Sequence, residues 1–209
     1  MFIEIRDFCK NIKEDTVLSD INLELKSGYV YGLWGENGSG KTMLMRAICG
    51  LVYSTFGEIA IDGKVLGRDI DFPPSTGQLI ENPSFLPNLS AKQNLKLLGS
   101  INGNDSDEII KLYLGKVGLN PDSRKKYKKF SLGMKQKLGI AAALFEENEL
   151  IILDEPYNAL DEEGVELVNK LIYEAKERGA IVIISSHNRN MIDAVSDEVI
   201  RMNGGKIEK

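Results

Sequence analysis

Apolar and polar positions change rhythm three times along the chain. Phe2 to Arg6 alternates apolar and charged residues, and Ile21-Asn22-Leu23-Glu24-Leu25 alternates again, the pattern of half-exposed strands. Tyr29-Val30-Tyr31-Gly32-Leu33-Trp34 is an apolar run entered through a turn at Lys26-Ser27-Gly28, and it predicts a buried strand. Gly57 to Ile61 followed by Asp62-Gly63 predicts a strand with a hairpin. Pro73, Pro74, Pro83 and Pro87 then break positions 72–90 into loop and short strand. From Ser90 the period becomes helical. Ser90 caps a helix carrying Asn94, Leu95, Leu97 and Leu98. A second helix opens on the acids around Asp107, bears Ile109, Leu112, Tyr113 and Val117, and stops at Gly118. A third runs from near Ser131 to Glu147, with Leu138, Ala141, Ala142 and Phe145 at core spacing. The last third returns to strand–helix alternation. Leu150–Leu153 and Ala180–Ile184 are uninterrupted apolar runs, as strands covered on both faces of a parallel sheet require. Val165, Val168, Leu171, Ile172 and Ala175 form a helical stripe between them, and Val199 to Ile207 predicts a closing hairpin.

One stretch carries chemistry outright. Gly35-Glu36-Asn37-Gly38-Ser39-Gly40-Lys41-Thr42 fits G-x-x-x-x-G-K-[ST] at every fixed position, between a predicted strand and a helix-compatible run beginning at Met43. Such a loop turns backbone N–H groups inward on one anion, and the following helix adds its positive end. Gly35, Gly38 and Gly40 let the backbone curl. Asn37, Gly38, Ser39, Gly40, Lys41, Thr42 and Met43 are the expected triphosphate-binding residues. Lys41 reaches the β- and γ-phosphates and the Thr42 hydroxyl sits on Mg²⁺. A second constellation, Asp154-Glu155, lies where the Leu150–Leu153 strand ends, and strand ends are where open α/β sheets bind ligands. Asp154 is expected to hold Mg²⁺, directly or through water, and Glu155 to orient or deprotonate the attacking water.

Composition narrows the field. The 209 residues suffice for one domain, or one with an insertion, and 43% apolar and 27% charged content are ordinary globular values. The formal net charge of −5 disfavours a whole-surface nucleic-acid binder. Cys9 and Cys49 are expected to be packed thiols in a cytosolic protein and not a disulfide. No apolar run reaches the ~20 residues that span a bilayer, and the N-terminus lacks the layout of a signal peptide. A role at a membrane therefore needs a partner that spans it.

With these motifs stand three more: Ser131-Leu132-Gly133-Met134-Lys135-Gln136, Asn158-Ala159-Leu160-Asp161, and Ser186-His187, which holds the only histidine. In order and spacing, over Phe2 to Lys206, the chain resembles the nucleotide-binding subunit of an ATP-binding cassette (ABC) transporter. The resemblance implies a P-loop NTPase with a RecA-like α/β core, an N-terminal antiparallel β subdomain and an α-helical subdomain inserted at about 88–147, all in one ATP-binding domain over 1–209. It implies ATP and Mg²⁺, and hydrolysis of the β–γ bond. It implies a second ABC subunit, two such chains clasping two ATP molecules head to tail. Ser131 and Gly133 of one chain then complete the phosphate cradle of the other, Asp161 links the two sites, and His187 holds the γ-phosphate. It also implies a polytopic membrane permease, which places the chain in the cytoplasm on the inner face of the cell membrane. No nucleic-acid partner is expected. A soluble ABC ATPase acting on nucleic acid or ribosomes is the alternative, but its known forms carry two cassettes or long coiled coils that this chain lacks.

The chain departs from the family pattern in places. Ile12 stands where an adenine-stacking aromatic is usual, with Phe8 as an alternative stacker. Glu81 stands where the loop that couples to the permease usually has glutamine, Gln78 falling too early, on the strand; Glu81 can still ligate Mg²⁺ or its water. Leu132 and Met134 replace a glycine and a glutamine of the signature. Glu81 and the signature Ser131-Leu132-Gly133-Met134-Lys135-Gln136 resemble the bacitracin- and lantibiotic-export branch, whose members often continue further at the C-terminus. Finally, Arg124-Lys125-Lys126-Tyr127-Lys128-Lys129 precedes the signature: either a contact for an acidic partner or lipid headgroups, or a solvated turn.

Overall fold

The computed structural model describes residues 1–208. In chain order the elements are β1 (Phe2–Ile12), β2 (Asp15–Lys26), β3 (Val30–Trp34), α1 (Lys41–Ile48), β4 (Phe56–Ile61), β5 (Lys64–Val65), β6 (Thr76–Leu79), α2 (Ala91–Asn102), α3 (Asp107–Lys116), α4 (Leu132–Leu144), β7 (Leu150–Leu153), α5 (Glu162–Glu177), β8 (Ile181–Ser186), α6 (Arg189–Asp193), β9 (Glu198–Asn203) and β10 (Lys206–Glu208). A short 3-10 turn at Tyr127–Lys129 precedes α4. The antiparallel sheet has the order β2-β1-β4-β5. The larger sheet runs β10-β9-β3-β8-β7-β6, parallel throughout except for β10.

The unbroken apolar runs are explained by two cores, one on each face of the parallel sheet. Successive strand side chains point to opposite faces. Leu150 and Ile152 of β7, with Ile181 and Ile183 of β8, therefore join Leu44, Met45 and Ile48 of α1 and the inner face of the antiparallel sheet. Ile151, Leu153, Val182 and Ile184 point the other way, into a core shared with α2 to α5. Polar residues have no place on either face, so alternation disappears.

Local signals set most helix ends. Ser90 accepts from the Gln93 N–H while the Gln93 side chain accepts from the Ser90 N–H, a complete capping box for α2. Ser106, Ser131 and Asp161 cap α3, α4 and α5. Gly118, at φ 74, closes the turn after α3 with a bond from its N–H to the Gly115 carbonyl.

Four details differ from the sequence reading. The buried stripe of α3 is Ile110, Tyr113, Leu114 and Val117, whereas Ile109 and Leu112 face water. An apolar quartet at consecutive turns can be phased two ways, and α3 is seated by its neighbours α2 and α4. The third helix ends at Leu144, because Glu147 adopts φ 54 and turns the chain into β7. Tyr29 lies outside β3 and is exposed. Phe8 is buried in the core beneath the antiparallel sheet, so it cannot stack on a base.

Candidate active site

The carboxyl ends of β3, β6, β7 and β8 lie along one edge, because these strands are parallel and consecutive in the sheet order β3-β8-β7-β6. Trp34 leads into the glycine loop, Leu79 into Glu81, Leu153 into Asp154-Glu155, and Ser186 into His187. Segments far apart in sequence thereby meet at one edge, at a cavity of about 290 Å³ lined by Val17, Asn37, Gly38, Ser39, Gly40, Lys41, Thr42, Met43, Arg46, Glu81, Asp154 and Glu155.

The glycine loop is shaped for an anion. Gly38 and Gly40 take φ 81 and 104, a region that costs other residues strain. Space around Gly38 is open, as an approach for a phosphate requires. Gly35 is needed for a different reason from the curl expected of it: a Cβ there would collide with the Met202 carbonyl. The Lys41 ammonium is buried and donates to the carbonyls of Gly35 and Glu36 at 2.7 and 3.0 Å. Ser39 Oγ is buried with no hydrogen-bond partner among the described residues. An unpaired buried hydroxyl costs about 1–3 kcal/mol, and an anion in the loop would satisfy it.

Opposite the loop, the Thr42 hydroxyl donates to Asp154 Oδ2 at 2.7 Å. Asp154 Oδ1 accepts from Ser185 Oγ, which in turn accepts the Glu155 N–H at 2.9 Å. Ser185 therefore fixes both acids from the neighbouring strand. Sequence reading gave it no role; its position at the exit of a buried strand, just ahead of His187, was the available signal. Gln136 is a second such residue. Its side-chain amide donates to the carbonyls of Glu155 and Pro156, both at 3.1 Å, so α4 holds the turn that carries Glu155. Glu155 itself sits at φ 47, and its carboxylate meets His187 Nδ1 at 3.1 and 3.2 Å and the His187 N–H at 3.1 Å.

Other singled-out residues lie elsewhere. Ile12 is 43% exposed at the tip of the β1–β2 hairpin and does not line the cavity; Val17 does. Ser131 and Gly133 start α4 outside the cavity, and a Cβ on Gly133 would press on the Ala159 carbonyl. Asp161 caps α5 by accepting the Gly164 N–H at 2.9 Å. That hydrogen bond, with Lys137 at 3.8 Å, lowers its carboxyl below the ordinary range. The signature and the Asp161 loop thus form one exposed cluster beside the cavity.

A glycine-rich anion loop, a hydroxyl–carboxylate pair and a carboxylate–imidazole pair around one cavity accompany a direct match: residues 18–158 fit the family model described as ABC transporter. The chain belongs to the ABC transporter ATP-binding family. It is an ATP-binding subunit of ABC type, and its activity is ATP hydrolysis. Residues 126–193 also fit a model described as an AAA domain, putative AbiEii toxin, a shorter match. Among relatives of this ABC subunit, an uncharacterized ABC transporter ATP-binding protein of Bacillus subtilis is 46% identical, over 99% of this chain and 94% of its own length. A bacitracin transport ATP-binding protein of Enterococcus faecalis is 38% identical over 98% of this chain and 67% of its own. A lantibiotic transport ATP-binding protein of Streptococcus pyogenes is 37% identical over 98% and 88%. A solved ATP-binding subunit of an ABC transporter superposes with TM-score 0.89 at 26% identity, covering 100% of this chain and 89% of that one. A bacterial ABC transporter cassette solved as a dimer gives 0.87 at 25%, covering 99% and 97%. No helix of the described residues is long and apolar enough to cross a membrane.

Proposed function

We propose that this single ABC domain, spanning 1–209, drives export of a peptide antibiotic, lantibiotic or similar amphiphile through a polytopic permease. It works as a dimer at the cytoplasmic face of the membrane. The carrying observation is that the cavity is one-sided. Lys41, Thr42, Asp154 and Glu155 line it and exposed His187 adjoins it through Glu155, while Ser131, Gly133 and Asp161 cluster outside it. A second copy laid head to tail brings its Ser131 and the N-terminal end of its α4 against the γ-phosphate, where anions are favoured. The dimeric cassette among the structural neighbours supports this arrangement. The names of the bacitracin and lantibiotic relatives support the cargo class.

The donor set fits Mg²⁺: the Thr42 hydroxyl and Asp154 carboxylate are hard oxygen ligands in contact with each other, and Glu81, paired with Arg46, adds a second carboxylate to the same lining. Bound there, the ion would neutralise charge on the β- and γ-phosphates. The residues of the chain do the rest. The loop N–H groups and Lys41 orient the triphosphate, Lys41 exchanging loop carbonyls for phosphate oxygens. Glu155 accepts the proton of the attacking water. His187, held through Nδ1, presents Nε2 to the γ-phosphate, and both ring nitrogens can donate only in the imidazolium form. A cleft of about 490 Å³ between Gln78–Phe85 and the helices, reached by Leu98, Asn102 and Ala142, is the dock for a cytoplasmic helix of the permease.

Two measurements test this reading. The ATPase rate per subunit should rise with protein concentration as dimers form, and a rate independent of concentration would remove the shared site. Cells expressing the chain with its permease should tolerate more bacitracin or lantibiotic than cells expressing the permease alone; equal tolerance would remove the cargo assignment.

A further inference from the structure

The basic run Arg124–Lys129 does not line the nucleotide cavity, and the structure gives it a fixed form, with Lys125 Nζ 3.4 Å from Met134 Sδ of the signature. Tyr127 and Phe130 are buried, and the Tyr127 ring packs against both Phe85 and Phe130. The Tyr127 hydroxyl donates to the Pro83 carbonyl. The Tyr127 and Lys128 N–H groups donate to the carbonyls of Leu89 and Pro87 at 2.9 and 3.0 Å. The run is therefore an anchored knuckle clamped onto the loop 83–89. Its cations are left over. Among the described residues, none of Arg124, Lys125, Lys126, Lys128 or Lys129 forms an ion pair, while the surface elsewhere pairs many of its charges. Lys126 and Lys128 reach only the side-chain carbonyls of Gln93 and Asn88.

Beside the knuckle lies a basin of about 630 Å³ that includes Lys92, Lys96, Arg124 and Lys126. Its two carboxylates are already engaged: Asp107 by Lys92 and Lys96 together at 2.5 and 2.9 Å, Asp122 by Lys111 at 3.3 Å. The concavity is thus cationic in a chain whose net charge is −5. The loop that carries the knuckle also supplies Pro83, Ser84 and Phe85 to the permease cleft. The unpaired charge accordingly stands at the rim of the face that meets a membrane subunit.

We propose that this knuckle and basin bind anionic phospholipid headgroups, holding the subunit against the inner leaflet beside its permease. The membrane-facing orientation rests on the permease reading above; the lipid contact does not require it. Overall negative charge repels an anionic surface, so one uncompensated basic patch would also orient the approach. The contact is electrostatic and weakens with salt.

The test is flotation of the purified full chain with vesicles of phosphatidylcholine alone or mixed with phosphatidylglycerol, without permease. Wild type should bind the mixed vesicles, lose them at high salt, and ignore phosphatidylcholine. Replacing all five knuckle cations by Gln should lower binding by about tenfold or more. The milder K128Q/K129Q pair, both exposed, should lower it less. ATPase activity should be unchanged in the pair. A control replacing Lys10, Lys13, Lys64, Lys170 and Arg178 by Gln changes net charge equally and should still bind. Binding that is absent in wild type, indifferent to phosphatidylglycerol, or equally lost in the control would overturn the proposal. So would binding to RNA but not to vesicles. Crosslinking of the permease away from the Phe85 cleft would overturn only the docking reading.

Discussion

Arg46 Nη2 and Glu81 Oε1 meet at 2.8 Å across the boundary between two cavities. Arg46 lines both the nucleotide cavity and the cleft between Gln78–Phe85 and the helices. Glu81 is held at φ 60, a strained region for a residue with a side chain. The pair neutralises a carboxylate that would otherwise face a triphosphate. Arg46→Met should weaken ATP binding several-fold, and adding Glu81→Gln should restore it. Glu81→Gln alone should leave ATP binding largely intact and change the coupling of hydrolysis to transport. Nucleotide titration of the double-mutant cycle reads this, and strict additivity would dissociate the two residues.

Glu155→Gln removes the carboxylate proposed to accept the water's proton while keeping the side chain's size. Hydrolysis should fall by roughly 10²–10⁴. ATP should still bind, and the variant should accumulate as a dimer on size exclusion with MgATP. A monomer that turns over normally would displace Glu155 from its role.

Ser185 is fully buried and serves Asp154 and Glu155 at once. Ser185→Ala takes the partner from the Glu155 N–H and from Asp154 Oδ1, at about 1–3 kcal/mol in folding stability. The denaturation midpoint should drop accordingly. The kcat should fall more than the affinity for ATP, since the acids lose alignment and the glycine loop is untouched.

Among the described residues no aromatic side chain lines the cavity, and the β1–β2 hairpin contributes Val17 to it. Purine recognition without a stacking ring rests on dispersion, which adenine and guanine share. ATP and GTP should be hydrolysed with less than about tenfold discrimination in kcat/KM, an expectation that a ring on the opposite subunit would break.

Burial pushes the Cys49 thiol from 9.0 up to about 12. The folded state therefore keeps a proton that the unfolded chain releases. This contribution is constant below the unfolded value and diminishes as pH rises above about 9. Alkylation of the native protein between pH 7 and 9 should mark Cys9, which is partly exposed, and spare Cys49 until denaturant is added. Mass spectrometry of the labelled peptides decides it.

Much of this protein was set by local sequence. The glycine loop, the capping residues and the two-sided apolar strands act through neighbours within a few residues, and each appears where the pattern places it. Long-range pairing decided the rest. The phase of α3 depends on which helices flank it, so Ile109 and Ile110 exchange faces without any local signal. Ser185 and Gln136 matter only because β7 and β8 lie adjacent and the first turns of α4 meet the Glu155 turn. The Arg46–Glu81 contact exists because α1 and the loop after β6 meet over the sheet. Local preferences fix what each segment is. Only the strand order of the parallel sheet fixes which side chains share a cavity.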